Sequence, residues 1–130
     1  MNIRVGVRAA LLANSTIRGL VSTRAYFKNL PQNPTYPCLL LEQISSDPLN
    51  TVASVPALSW ARIRVIAWGK TYAAADELGV AVENCLNGQT FSLTGLEIGS
   101  VVADGMRDMY EPNVTAHYMT QDFKIYFTES

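Results

Sequence analysis

The sequence predicts an α+β domain: a mainly antiparallel four-stranded sheet with two principal helices packed on one face, in the order α-β-β-α-β-β. Three observations predict it. Apolar residues recur at helical spacing near the N-terminus and again over 71–86, whereas 58–68 and 114–127 alternate apolar and polar residues with period two. The strand-like segments follow one another in pairs over short connections, which favours antiparallel pairing with the helices segregated to one side. With 130 residues the chain has the size of one domain, taken as 1–130.

The first helix rests on Ile3, Val7, Ala10, Leu11 and Ala13, with Arg4 and Arg8 one turn apart on the other side. It stops near Asn14 and Ser15, whose short side chains compete for backbone hydrogen bonds, and Ser15 is placed to cap a further turn through 17–20. A brief extended piece at 24–27 leads into a connector with Pro31, Pro34 and Pro37, which lack amide donors and hold the chain extended or turning. Residues 38–44 form a short, mostly apolar strand, followed by a loop over 47–56 that contains two prolines.

In the second strand Ala61, Ile63, Val65 and Ala67 take the core face, while Trp60, Arg62, Arg64, Ile66 and Trp68 take the other. Thr71 caps the strongest helix, whose apolar stripe is Ala75, Leu78, Val82 and Leu86, and Asn87-Gly88 stops it. A short piece at 91–93 precedes a third main strand over 96–103. A polar excursion over 104–113 then leads to the last strand, 114–127, with His117, Met119, Phe123, Ile125 and Phe127 inward. Gln121 falls on that inward face and is expected to mark the sheet's end or a bulge.

Composition narrows the function classes. Apolar residues at 48% and charged residues at 16% exclude a disordered chain, and a net charge of -1 leaves no basic excess for holding phosphate backbones. No run reaches the roughly 18 apolar residues of a membrane span, and Arg4 and Arg8 interrupt what a signal peptide would need to be apolar. Assembly in the cytosol is expected. The total charge hides a split: residues 1–70 carry eight Lys/Arg against two acids (+6), and 71–130 carry two against nine (-7). Either the halves pair within one fold, or one copy's basic face meets the next copy's acidic face.

Catalytic sets are hard to assemble from these residues. Cys38 and Cys85, 47 positions apart, form neither a redox pair nor half a zinc site, and are expected to be buried thiols. His117 has no second ligand near it in sequence. Gly69-Lys70-Thr71 lies between strand and helix as the end of a P-loop does, but position 64 is Arg where that loop needs Gly, so Thr71 is better explained as a helix cap. The acid pairs Asp76/Glu77 and Asp104/Asp108 fall in a helix's opening turns and in a polar segment, where solvation is the default. No metal and no cofactor is expected. Trp60, Arg62, Arg64 and Trp68 combine residue types enriched in protein interfaces. The alternative is that the two indoles cover the sheet locally.

The landmarks together resemble a known family. Ala-Leu-Leu-Ala13, Leu20-Val-Ser-Thr-Arg-Ala-Tyr26, Tyr36-Pro-Cys-Leu-Leu-Leu41, and Ile63-Arg-Val-Ile-Ala-Trp68 running into Thr71-Tyr-Ala-Ala-Ala-Asp-Glu-Leu78 are similar to the tail terminator or tail completion proteins of long-tailed bacteriophages and prophages. The resemblance runs over most of the chain, about Ile3 to Phe127, as a profile without a catalytic signature. It implies a non-enzymatic virion protein of the tail or neck that assembles as a ring, typically a hexamer, on the last ring of the tail tube. Such a ring stops tube growth and joins the tail to the head connector, with DNA passing through its hole without specific binding. The partners implied are other copies of the chain, the tube protein and the connector.

On this reading Trp60, Arg62, Arg64 and Trp68 are the candidates for subunit contact. Asp47, Leu49 and Val52 in one loop, and Asp104, Met106, Arg107, Asp108 and Tyr110 in the other, are the candidates for reaching tube or connector, mere connection being the alternative. Two other functions stay open: a head-closure or neck component, and a small α+β enzyme or ligand-binding module with a deep polar pocket.

Overall fold

Asn2 accepts the Val5 amide through its side chain and so opens α1 (Ile3–Ala13), whose Ile3, Val7, Ala10 and Leu11 are buried in the helical stripe the sequence predicts. The computed structural model describes residues 2–48 and 58–129. Among these, the remaining elements are α2 (Ser15–Val21), β1 (Ala25–Phe27), β2 (Cys38–Pro48), β3 (Leu58–Gly69), α3 (Tyr72–Leu86), β4 (Phe91–Leu93), β5 (Leu96–Glu111) and β6 (Ala116–Glu129).

The expected four-stranded antiparallel sheet with two helices is not what forms. Six strands make one mixed, curled sheet in the order β1-β2-β3-β6-β5-β4, with three helices. The excess comes from elements too short to show a period. β1 adds beside β2 in parallel, Ala25 opposite Leu39, and β4 adds beside β5, Phe91 opposite Ile98. Each is three residues long, so neither alternation nor a helical stripe can reveal it. The turn after Ala13 is likewise a separate helix, capped not by Ser15 but by Asn14, whose side chain accepts from Thr16 and Ile17.

A second correction concerns 104–113, expected as a polar excursion. Strand β5 continues through it to Glu111, because β6 supplies a ladder all the way to Glu111 opposite Ala116. A bulge between Ala103 and Met106 absorbs the extra residue, with Gly105 at φ 113, a conformation that suits glycine. The polar residues tolerate the strand because its sides there are exposed to water. Gln121 stands opposite this bulge, while β6 itself runs unbroken past it against β3.

Helix α3 lies over β3, β6 and β5, and the core between helices and sheet holds Leu11, Ile17, Leu39, Ile63, Leu78, Leu86 and Phe123. Thr71 Oγ1 accepts the Ala74 amide, the cap the sequence predicts. Gly69 is needed for close approach: a Cβ there would stand 2.6 Å from the Ala75 nitrogen. Both features of the Gly-Lys-Thr stretch therefore serve the seating of α3 on the strand end. Cys38 and Cys85 are buried free thiols, as expected.

Candidate subunit interface

The alternation of β3 turns Ala61, Ile63, Val65 and Ala67 toward the helices, all buried, and leaves Trp60, Arg62, Arg64 and Trp68 on the helix-free side. The register with β6 then decides their neighbours. Trp60 faces Tyr126, Arg62 faces Lys124, Arg64 faces Asp122 and Trp68 faces Tyr118. All four predicted residues are half-buried and share this face.

Two like charges directly opposite repel, and Arg62 and Lys124 resolve this by turning apart. Arg62 pairs with Asp104 across β6 and reaches Asp122 at 3.5 Å. Lys124 Nζ lies 4.8 Å over the Trp60 ring and 5.5 Å from that of Tyr126. Arg64 holds Asp122 with both Nε, at 2.8 Å, and Nη2, at 3.3 Å, and this hydrogen bonding raises its pKa further. Arginines of the basic half are thus neutralised by acids of the acidic half within one chain.

At the other end of the face, Trp68 stacks on Tyr118 with centroids 4.4 Å apart and rings at 27°, and Tyr36 of the proline connector adds a tilted contact at 6.3 Å. Lys70 Nζ stands 5.4 Å over Tyr36. The Trp68 Nε1 donor is buried without a hydrogen-bond partner among the described residues. Local cover therefore accounts for much of Trp68, and less of Trp60. The residues missed by sequence reasoning are Tyr118, Asp122 and Lys124, whose importance follows only once β3 is known to pair with β6.

The second set of predicted residues divides. Leu49 and Val52 lie outside the described residues, as does the side chain of Asp47, whose backbone in β2 pairs with Trp60 of β3. Asp104, Met106, Arg107, Asp108 and Tyr110, expected on a loop, lie instead in β5, all exposed, Asp104 in the bulge and the other four paired with β6. On the helix side of this segment Tyr72 donates its hydroxyl to Asp108 at 3.0 Å, which raises the Tyr72 pKa, and His117 packs between the rings of Tyr72 and Tyr110. The lone histidine is therefore an aromatic packing partner. Among the described residues no group of three or more His, Cys, Asp or Glu is placed to hold a metal ion, and no helix is long and apolar enough to cross a membrane.

A cleft of about 620 Å³ lies at the opposite edge of the sheet, where α1 begins and β1 ends. Its lining includes Arg4, Val5, Phe27, Lys28, Glu42 and Ile44. Sequence periodicity gave no sign of it, because it forms between a helix's outer side and a strand edge.

The family described as tail completion protein gp17 matches residues 5–128. Among solved structures, a chain from "Virion of native gene transfer agent (GTA) particle" has the same fold, with a TM-score of 0.71 at 15% identity, over 98% of this chain and 99% of that one. Comparison with curated proteins finds no match.

Proposed function

The chain belongs to the tail completion protein gp17 family, and from that premise we propose that it forms a ring, a hexamer in the simplest case, at the head-proximal end of a phage tail tube. It is a structural protein of the bacteriophage tail. The ring ends tube polymerisation and offers the surface that joins the head connector, and DNA passes through its hole. The family match over nearly the whole chain carries this reading.

The geometry is in keeping with it. A face of Trp60, Arg62, Arg64 and Trp68 suits contact between protein subunits, since half-buried aromatics and arginines lose little order when they are covered. The acids that outnumber cations in residues 71–130, nine against two, suit the wall of a passage that DNA must slide through without being gripped. No catalytic step is part of the proposal.

The experiment is to mix the purified chain with growing tail tubes. Tubes of fixed length with capped ends are the expected result. Unchanged elongation would overturn the terminator role, and binding to the portal side without binding to tubes would make the protein a head-closure component instead.

A further inference from the structure

The two ends of the sheet are unlike each other in charge and alike in being open. Strand β1 pairs with β2 only as far as Leu41, yet β2 continues to Pro48, so beyond Leu41 its outer edge has no strand beside it among the described residues. The edge of β1 itself is closed: Arg8 Nε donates to the Ala25 carbonyl at 2.8 Å, and the Asn29 amide donates to that of Phe27 at 2.7 Å. The open stretch of β2 coincides with the cleft, with Val5, Phe27 and Ile44 on its walls and Arg4 and Lys28 as its cations. Glu42, the acid of the lining, faces Arg64.

At the far side of the sheet, β4 pairs with β5 only as far as Ile98. The turn after α3 then covers the edge, Gly88 donating to the Val101 carbonyl and Asn87 accepting the Ala103 amide. From 105 to 111 no strand pairs with this edge among the described residues, although Tyr72 donates to the Asp108 carboxylate, the Asn113 amide to that of Glu111, and Tyr110 packs on His117. That segment presents Met106 and Tyr110 with Asp108 and Glu111, Arg107 being its one cation. Val5, Phe27, Ile44, Met106 and Tyr110 are each more than two-fifths exposed, although all are large and apolar.

Unpaired strand edges are templates for another strand, and proteins ordinarily block them. Here one apolar edge is lined by cations and the other by acids, at opposite ends of one sheet. We propose that residues 105–111 of one copy dock along the β2 edge of the next copy, in the cleft beside α1, with Met106 and Tyr110 against Val5, Phe27 and Ile44. Asp108 and Glu111 then meet Arg4 and Lys28. The occupant is a second copy because the acids that complement the cleft are carried by the chain itself. A contact between two different patches is heterologous, the kind of contact from which a closed ring is built when its rotation closes. The inference rests on the ring reading above and supplies its lateral contact.

The test is charge exchange in the full chain, read by co-sedimentation with purified tail tubes. Reversing the cleft (Arg4→Glu with Lys28→Glu) or the strand (Asp108→Lys with Glu111→Lys) is expected to lower the bound fraction at least about tenfold, and an equimolar mixture to restore it within about threefold. Restoration follows because every junction of an alternating ring then joins opposite charges. Reversed variants that bind as well as the unmodified chain, or a mixture as deficient as its components, overturn the edge pairing and leave the proposed function standing. If the unmodified chain never binds tubes, the proposed function fails instead. In that case, or if a reversed variant does not fold by circular dichroism, the pairing is read from a chain carrying Phe27→Cys and Met106→Cys, oxidised at high concentration. Disulfide-linked multimers beyond the dimer, absent from either single variant, support it; their absence overturns it.

Discussion

Gln121 donates from Nε2 to the carbonyl of Gly79 at 2.6 Å, tying the middle of β6 to the middle of α3 inside the core. The bond is less valuable than its burial implies. That carbonyl lies in a helix interior, where Glu83 supplies its regular partner, and Gln121 Oε1 is buried with no partner among the described residues. Gln121→Met is therefore expected to change stability by no more than about 1 kcal/mol, in either direction. Gly79→Ala should lose about 1–3 kcal/mol despite the better helix former, since its Cβ would stand 2.6 Å from Met119 Sδ. Urea unfolding of both variants checks the pair, and a strongly destabilised Gln121→Met would mean that the polar bond is essential.

Asp122 serves two arginines and Asp104 one, with different exposure: 19% against 51% of the side chain. Asp122→Ala leaves Arg64 without its two-pronged partner on a half-buried face and is expected to cost about 1–2 kcal/mol. Asp104→Ala should cost about 0–1 kcal/mol, because water already screens that pair. Chemical denaturation compared at low salt and at roughly 1 M salt should show the difference narrowing as screening increases. Equal losses at both positions would contradict this ordering.

The long elements were legible because each carries its own period. The stripe of α3 and the alternation of β3 place Leu78, Val82, Ile63 and Val65 in the core, where the structure has them. What was illegible depends on partners. Three residues at β1 or β4 become strand only because β2 or β5 offers a ladder. The polar residues from Asp104 to Glu111 form strand because β6 runs beside them, a pairing between segments that no local pattern reports. The same holds for the site: Trp60, Arg62, Arg64 and Trp68 could be grouped by spacing, but Asp122, Lys124 and Tyr118 join them only through the register of β3 with β6.

The buried thiols make stability fall in alkali. Burial pushes Cys38 up to about 11 from an ordinary 9.0, and raises Cys85 as well. Above pH 9 the unfolded chain loses these protons while the folded chain retains them, so the unfolded state binds fewer protons and is favoured as pH rises. The loss is expected to begin near pH 9, to continue to about 11, and to have a slope of at most about 1.4 kcal/mol per pH unit for each thiol. Replacing both cysteines by Ala should flatten this limb in pH-dependent unfolding. At pH 8 the native thiols should resist a thiol reagent that labels both in denaturant, and rapid native labelling would refute their burial.

The two tryptophans of β3 should separate folding from assembly. Trp68 is stacked on Tyr118 and touched by Tyr36, so Trp68→Ala removes packing within the chain and is expected to cost about 2–4 kcal/mol as well as weakening assembly. Its Nε1 has no partner among the described residues, so Trp68→Phe should keep most of that stability. Among the described residues Trp60 has Lys124 over its ring and no comparable stack, so Trp60→Ala should stay within about 1 kcal/mol of the unmodified chain. If the helix-free face contacts other subunits, tube capping by Trp60→Ala must drop while its melting curve hardly moves. A Trp60→Ala chain that melts and caps like the unmodified one would remove Trp60 from the interface and leave the sheet edges as the place where copies meet.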